Sequence, residues 1–406
     1  MSRSETDSSG VAASAGCRES PERVSPLHAV HSAAGATFTD FAGWQMPVRY
    51  SSELAEHHAV RTAAGIFDLS HMAEFVVIGP EAAAALDYAL AGNMSTMAVG
   101  QARYTLVLSR SGGVVDDLVV YRTGEKRFLI VANAANRDVV AHELRDRTAP
   151  FTVESFDESD DLALIAVQGP RALDILVTVS GFALDGGSAG GSEVTERLSA
   201  LGYYRSIVGS FREHPVLFAR TGYTGEDGFE MYIGPDYAVE LWEALVETGA
   251  KHGLVPAGLA SRDTLRLEAG MPLYGQELSL TTFPAQAGIG RVVALDKPVD
   301  FVGRAASEEG APADALVLVG LIGDGKRAAR ADYPVREADP DSSVVDIAQI
   351  GIVTSGALSP TLGVPIAMAY VPARLSSPGT VVSVDIRGTP HAYTVTRLPF
   401  YSRKKH

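Results

Sequence analysis

The sequence predicts an α+β protein with a separate all-β unit at its C-terminal end. The first 300 residues mix helical and strand patterns without the regular alternation of a doubly wound parallel sheet. After about residue 310, short strand patterns follow one another between Gly and Pro turns, as in a barrel or sandwich. A chain of 406 residues is also too long for one hydrophobic core, which indicates two or three domains.

The elements of the first half can be assigned in order. TFTDFAGWQMPVRY is strand-like with a Gly-Trp turn, and SSELAEHHAVRTAAGIFDLS predicts a helix that starts at a serine and stops at Gly65. AEFVVIGP predicts a strand and a turn, and EAAAALDYALAG a short helix stopped by Gly92. Residues 102–134 predict an antiparallel meander, and ANRDVVAHELRDRT predicts a helix.

The second half begins with a sequence pattern that repeats one from the first half. DLALIAVQGP repeats the strand and Gly-Pro turn of FVVIGP, and a helix follows both, which indicates an internal repeat. Residues 183–192 predict a flexible Gly/Ser loop. VLFARTGYTGEDGFEMYIG predicts two strands around a glycine-rich loop, while DYAVELWEALVETGAKHG and PAGLASRDTLRLEAG predict helices. The predicted strands of the last unit are ALVLVGLIG, VVDIAQIGIVTSG, AMAYV, TVVSVDIRG and HAYTVTRLPFY.

Composition excludes several classes of function. The net charge of −15 argues against a nucleic-acid partner, because phosphate binding needs a basic face. Cys17 is the only cysteine, which rules out an intrachain disulfide or a cysteine-based metal site and fits a reducing compartment. There is no apolar run of about 18 residues, so we expect no membrane span. Residues 1–22 are polar and lack the apolar centre of a secretory signal. We expect a disordered tail there and a cytoplasmic protein.

No metal site or nucleophile motif is predicted. His57 and His58 are neighbours on a helix and cannot face one point, so we expect one packed and one surface histidine. His71 follows Asp68 closely and is expected, with Met72, to line a pocket wall or to pack in the core. GGSAG (186–190) matches the nucleophile-elbow pattern but lacks the strand and helix that the elbow requires.

SGGVVDDLVVYR contains two adjacent aspartates at the mouth of a predicted strand. Side chains of successive strand residues point to opposite faces, so Asp116 and Asp117 are not expected to form a shared-proton dyad or a common metal site. One of them suits a turn cap and the other a cavity. Alternation alone leaves open which is which.

Two other stretches offer ligand-type residues. The glycines of RTGYTGEDGFE (220–230) permit close approach to a ligand, but a tight hairpin with a solvated tip explains them equally well. Arg262 and Arg266 lie four residues apart and share one helix face. A helix surface in which Asp263 and Glu268 pair with them is an equally good interpretation.

Eight stretches form an ordered set: FAGWQMPVRY, GIFDLSHM, GGVVDDLVVYR, ALIAVQGP, RTGYTGEDGFE, AGLASRDTLRLEAG, PLYGQEL and VTSGALSPTLG. As a set, they resemble the aminomethyltransferase (T-protein) family of the glycine cleavage system, and the likeness runs from about residue 23 to 401. The resemblance implies three domains around a central folate channel. The implied first domain is discontinuous (23–70 and 160–280). The second spans 71–159, a linker spans 281–310, and the barrel spans 311–406.

The resemblance also implies the reaction and its partners. A lipoyl-bearing carrier protein presents an aminomethyl group on sulfur, and tetrahydrofolate takes the one-carbon unit. The products are ammonia, 5,10-methylenetetrahydrofolate and the reduced carrier.

Site residues follow from the matching motifs. The second aspartate of the pair, Asp117, is the implied catalytic carboxylate, which leaves Asp116 as a turn cap. Glu230 is implied to hold the amide and amino edge of the pterin, for which a carboxylate is well suited. Arg262 is the pocket arginine. The remaining matches fall into two groups. The aromatic pocket positions are Tyr104, Tyr203, Tyr204 and Tyr223. The channel-mouth positions are Tyr401 and Arg403. Arg403 is also a candidate for the folate glutamate tail.

Two relatives of the same fold remain as alternatives. Non-catalytic folate-binding relatives carry a Lys-Gly-Cys-Tyr signature, which this chain lacks. Folate-dependent demethylases are often fused to an oxidase domain, which is also lacking. A stand-alone demethylase stays open, because motifs do not reveal the substrate side of the channel. A purely structural protein does not explain so many ligand-type positions.

Overall fold

The computed structural model describes residues 23–184, 191–338 and 348–403. The predicted tail at 1–22, the GGSAG stretch and most of the predicted loop at 183–192 lie outside these residues.

The first segment pairs a small sheet with a helix that leads into a buried strand. Its elements are β1 (Arg23–Val24), α1 (His28–Ala33), β2 (Thr37–Phe41), β3 (Trp44–Arg49), α2 (Glu53–Thr62) and β4 (Ala64–Asp68). Ser52 caps α2 as predicted and accepts the N–H of Ala55 at 3.1 Å. The predicted stop at Gly65 is wrong, because α2 ends at Thr62 and Gly65 lies inside buried β4. A Cβ at Gly65 would lie 2.5 Å from Val60, so the glycine serves the packing of the strand on the helix.

The second segment builds an antiparallel sheet in the order β6-β7-β8-β5-β9. Its elements are β5 (Ala73–Ile78), α3 (Ala82–Ala89), β6 (Ala102–Leu108), β7 (Val114–Gly124), β8 (Arg127–Ala132), α4 (Arg137–Thr148) and β9 (Glu154–Asp157). The predicted meander is confirmed as β6, β7 and β8. Helices α3 and α4 pack together, and a core that includes Phe75, Leu86 and Phe128 fills this unit.

Helix α3 ends at Ala89, before the predicted stop at Gly92, and a lysine from a distant part of the chain binds the carbonyl groups at this end. The ammonium group of Lys297 is buried and donates to the carbonyl oxygens of Asp87 (2.6 Å), Leu90 (2.6 Å) and Gly92 (2.9 Å). A cation at this end satisfies free carbonyls and complements the helix dipole.

The third segment adds most of a seven-stranded sheet. Its elements are β10 (Ala163–Gln168), α5 (Ala172–Leu176), β11 (Phe182–Leu184), α6 (Ser192–Ala200), β12 (Ser206–Phe211), β13 (His214–Ala219), β14 (Gly228–Ile233), α7 (Ala238–Ala250), β15 (Leu254–Pro256) and α8 (Leu259–Glu268). With β4, the strands run in the order β11-β12-β13-β14-β10-β4-β15. The two echoed strands, β5 and β10, lie in different sheets. Each leads through a glycine of positive φ, Gly79 or Gly169, into its helix.

The last segment contains the predicted barrel. Its elements are α9 (Arg304–Glu309), β16 (Leu316–Gly323), β17 (Pro334–Glu337), β18 (Gln349–Leu358), β19 (Pro365–Pro372), β20 (Val381–Ile386) and β21 (Thr389–Thr396). The barrel closes in the order β16-β19-β18-β17-β20-β21. All five predicted stretches contribute strands. The additional short strand β17 pairs with both β18 and β20 and closes the ring.

The two large sheets meet face to face. One buried cluster combines Tyr121 and Val131 from β7 and β8 with Leu164 and Tyr232 from β10 and β14. The barrel is joined to α8 by buried polar contacts, among them Arg266 to Ser355 at 2.8 Å. Each large sheet is built from the residues of a single expected domain, and the seven-stranded sheet draws β4 from 23–70 and its other strands from 160–280. The domain boundaries themselves remain a prediction.

Candidate functional site

A cavity of about 240 Å³ opens where the two sheets meet. Strands β7 and β8 supply one wall, β14 and the loop before it supply another, and α8 with residues 271–274 closes the space. Six of the nine predicted site residues line it: Tyr104, Asp117, Tyr204, Tyr223, Glu230 and Arg262.

The other three predicted residues lie outside this lining. Tyr203 is 49% exposed and packs edge-on against Tyr204, with ring centroids 4.9 Å apart. Arg403 lies over the Tyr203 ring at 5.7 Å and pairs with Asp227 at 3.3 Å. The ring of Tyr401 faces the guanidinium of Arg61 at 4.1 Å. Tyr203 and Arg403 therefore form a pair that borders the cavity through Tyr204.

Asp117 faces the cavity from strand β7. One carboxylate oxygen accepts the hydroxyl of Tyr104 at 3.1 Å, and the other accepts Nδ2 of Asn133 at 2.9 Å. Burial raises the pKa of Asp117 above its ordinary value, although these two hydrogen bonds oppose the shift. The carboxyl group is thereby able to exchange a proton closer to neutral pH than an exposed aspartate.

The expectation that Asp116 caps the turn is wrong. Asp116 lies inside β7, is fully buried, and accepts Nδ2 of Asn133 at 2.8 Å, the Asn133 N–H at 3.1 Å and Nδ2 of Asn136 at 2.6 Å. A β-bulge at Val115 leaves this residue without a partner on β6. Both aspartates lie after the bulge and therefore belong to the paired part of the strand. The two carboxyl groups make no direct hydrogen bond and do not form a dyad.

Glu230 is held by two hydroxyl groups, one from β7 in the other sheet and one from the loop before β14. Its Oε2 accepts the hydroxyl of Thr221 at 2.5 Å and that of Tyr121 at 3.2 Å, and Tyr232 in turn donates to Tyr121 at 3.2 Å. Burial raises the pKa of Glu230, while its two hydroxyl donors and Arg262 oppose the shift.

Sequence reasoning missed the residues that support the two acids. Tyr121 lies four positions after Asp117 in the same strand, so the period of two places both on one face and offered a usable signal. Thr221 lies within the quoted glycine-rich loop, but nothing marked it out from its neighbours. Asn133 reaches the aspartates from the end of the next strand, β8, and carried no local signal.

The glycine-rich loop approaches the cavity, and the solvated hairpin tip offered as the other interpretation is wrong, because Glu226 is buried and pairs with Arg61 at 2.9 Å. Gly222 lines the cavity, yet a Cβ on it would lie 2.0 Å from the side chain of Gln168. Arg220 and Asp227 form an ion pair at 2.6 Å across the hairpin. The loop is therefore a braced hairpin that also presents backbone to the cavity.

The two arginines of α8 differ in their surroundings. Arg266 pairs with Asp263 at 2.7 Å and with Glu277 at 3.0 Å. Within the described residues, Arg262 has no such ion pair, and its guanidinium lies over the Tyr223 ring at 5.1 Å. The expected pairing of Glu268 with these arginines is wrong, because Glu268 pairs with Arg61 at 2.9 Å. Arg262 is consequently a cation that faces the cavity.

A second cavity of about 480 Å³ adjoins the first. The two share Tyr223, Arg262 and Leu273, and the second extends to Arg330 and Ser355 of the barrel segment. The site is thus flanked by a second space that reaches the barrel segment.

The histidines behave as the sequence indicated. His57 is buried between Thr264 (2.8 Å) and Thr361 (2.9 Å), whereas His58 is exposed. His71 is buried, and Met72 lines the cavity. Across 23–184, 191–338 and 348–403, no group of three acidic, His or Cys side chains is arranged to hold a metal ion. Within the same ranges, no helix is long and apolar enough to cross a membrane.

Family models match nearly all of this architecture. The GCVT N-terminal domain matches residues 27–297, and the glycine cleavage T-protein C-terminal barrel domain matches residues 317–402. Aminomethyltransferases of Saccharopolyspora erythraea and Streptomyces avermitilis are each 53% identical. These alignments cover 95% and 94% of this chain, and 99% and 98% of the relatives.

A solved structure agrees with the fold. The glycine cleavage system aminomethyltransferase T from Bartonella henselae matches with a TM-score of 0.82 and 34% identity, over 94% of this chain and 98% of that one. Neither the demethylase nor the non-catalytic relative is favoured by these matches. The chain therefore belongs to the glycine cleavage T-protein family and is an enzyme, an aminomethyltransferase.

Proposed function

We propose that the cavity binds tetrahydrofolate and that a lipoyl carrier protein delivers the aminomethyl group to it. The carrier's S–CH2–NH3⁺ group and the N5–H and N10–H of the folate become 5,10-methylenetetrahydrofolate, a free carrier thiol and ammonium. The observation that carries this proposal is the placement of Asp117, Glu230 and Arg262 around one cavity in a chain of this family.

Glu230 orients the folate. Tyr121 and Thr221 hold one of its oxygens, which leaves the carboxylate directed for the paired amide and amino donors of a pterin. Tyr104, Tyr204 and Tyr223 supply aromatic surfaces for the rings. Arg262 places a positive charge beside the same space.

Asp117 serves the transfer itself. Positive charge develops at the methylene carbon as N5 bonds to it, and N10 must lose a proton when the ring closes. A buried carboxylate stabilises this charge more strongly than one in water, and it is also a suitable proton acceptor. The hydrogen bonds from Tyr104 and Asn133 fix its orientation.

Tyr203, Tyr401 and Arg403 belong to the channel mouth in this proposal. Arg403 is a candidate for the anionic glutamate tail, although its pairing with Asp227 partly neutralises it. A cytoplasmic location, favoured by the single cysteine, completes the proposal.

The test is a complete turnover assay. The purified protein is mixed with tetrahydrofolate and an aminomethylated lipoyl carrier, and ammonia and methylenetetrahydrofolate are followed together. Equal release of both products, dependent on carrier and folate, is expected. Folate binding without either product would contradict the proposal and favour the demethylase or the folate-binding relative.

A further inference from the structure

We propose that Asp116 is a positioning residue that acts on Asp117 through the Asn133 carboxamide and through its own charge. This inference rests on the role proposed for Asp117 in the transfer. It gives a role to Asp116, a buried acid that does not cap the turn.

The Asn133 carboxamide bridges the two acids. Its Nδ2 carries two hydrogens, and it lies 2.8 Å from Oδ1 of Asp116 and 2.9 Å from Oδ1 of Asp117. Both donors are therefore in use, one on each carboxyl group. The bridge crosses the strand, because the two aspartates project to opposite faces of β7.

Asp116 also anchors the connection that carries Asn133. Its remaining contacts come from the Asn133 N–H at 3.1 Å and from Nδ2 of Asn136 at 2.6 Å, at the two ends of the turn between β8 and α4. This turn is thereby held onto the strand that bears Asp117. Loss of Asp116 would free Asn133 from two of its contacts.

Burial and the like charge of Asp117 raise the pKa of Asp116 to about 7, and the hydrogen bonds to its carboxyl group oppose this rise. Three donors point at its carboxyl group, and none of the described residues offers it an acceptor for a proton of its own. Burial raises the pKa of both acids, and the like charge of Asp117 acts on Asp116 as well. When one of two neighbouring buried carboxyl groups is ionised, the free energy needed to ionise the other rises. A charge on either acid consequently favours a proton on the other.

Among the residues that the structure describes, no cation pairs with Asp116 or Asp117. The titratable groups that face the pair are Tyr104 from β6 and Tyr274 from the segment after α8. The β8–α4 turn contributes the neutral amides of Asn133 and Asn136. Among the described residues, no Lys, Arg or His forms an ion pair with either acid. Replacing Asp116 by Asn therefore removes an uncompensated like charge.

The first test needs neither folate nor carrier. The protein is labelled with ¹³C at the aspartate carboxyl carbons, and Asp117→Asn identifies the Asp117 signal by its loss. In Asp116→Asn, the titration of Asp117 should move about one pH unit lower. An unchanged midpoint would overturn the proposal. Because this readout is independent of turnover, it separates failure of this inference from failure of the proposed reaction.

The second test is the pH dependence of kcat. Asp116→Asn should shift the acid limb to lower pH, since Asp117 then loses its proton more readily. A merely structural role would lower kcat at every pH and leave the limb in place.

The matched control is Asp87→Asn. Asp87 is a buried aspartate of the same unit that accepts the Met94 and Ser95 N–H groups and does not line the cavity. This control should lower stability without shifting the limb.

A second variant keeps the proposal testable if Asp116→Asn does not fold. Asn136→Ala retains Asp116 but removes its 2.6 Å donor, so the proton should move toward Asp116. The titration of Asp117 should then shift in the same direction, by a smaller amount. No shift in Asn136→Ala would overturn the proposal.

Discussion

The phenol of Tyr121 donates to the carboxylate of Glu230 at 3.2 Å, although the two residues belong to different sheets. Tyr121 comes from β7, the strand that carries Asp117, and Glu230 comes from β14. The contact therefore links the two proposed functional acids across the sheet interface. Thr221 completes the hold on Glu230.

Asp117→Asn should retain folate binding and lose most turnover. The amide has no charge to stabilise a cation and accepts no proton, and loss of general acid–base catalysis typically costs about 10²- to 10⁴-fold. Steady-state turnover and calorimetry with folate measure the two effects. Asp236→Asn changes an exposed aspartate and should match the wild type. A rate for Asp117→Asn near that of the wild type would remove Asp117 from the mechanism.

Glu230→Ala should weaken folate binding about tenfold to a hundredfold. The estimate is the cost of losing hydrogen bonds to a charged group, converted to affinity. Calorimetric titration with tetrahydrofolate under anaerobic conditions measures it. Unchanged affinity would place the pterin elsewhere in the cavity.

Tyr121→Phe should weaken folate binding less than Glu230→Ala does. It removes one hydroxyl donor and leaves Thr221 in place, so the expected loss is about threefold to tenfold. Tyr333→Phe makes the same change beside the barrel core and serves as the control. Equal affinities of the two variants would mean that Tyr121 does not orient Glu230.

Lys297→Met should destabilise the fold by about 2–4 kcal/mol. The ammonium group satisfies carbonyl oxygens at the end of α3, and these would lose their buried donor. Urea unfolding of the variant and of Lys251→Met, at an exposed position, provides the comparison. Similar free energies of unfolding for both would show that water replaces the ammonium group without cost.

The ion pairs of Glu268 should make stability depend on acid pH. Burial opposes ionisation, but His57, Ser359 and Thr361 outweigh it and lower the pKa of Glu268 to about 2. The unfolded chain binds the proton near pH 4.5, so the stabilisation is present above that pH and is lost as pH falls toward 2. It amounts to about 3 kcal/mol.

Urea unfolding between pH 6 and pH 3 measures this contribution. Glu268→Gln should be less stable than the wild type at pH 6, and the difference should shrink toward pH 3. A difference that stays constant over this range would show that the charge of Glu268 does not stabilise the fold.

Much of the fold could be predicted because it depends on local pattern. Ser52 caps a helix by a contact three residues away, and the alternating runs of β6, β7 and β8 pair with their neighbours in the chain. Short β17 was missed because four residues carry little periodic signal, and only barrel closure gives it two partners. The stop predicted at Gly65 failed because the packing of β4 against α2, rather than helix termination, requires a glycine there.

Fold class and family followed from the amino-acid sequence alone, through local periodicity and a set of ordered motifs, and the same motifs predicted the ligand-type residues. The residues that hold these side chains in place became visible in the tertiary structure. Asn133 reaches both aspartates from the next strand, and Tyr121 meets Glu230 from another sheet. Lys297 caps a helix about 200 positions before it in the chain. Such contacts depend on how sheets and segments pack in three dimensions, and no local spacing encodes that packing.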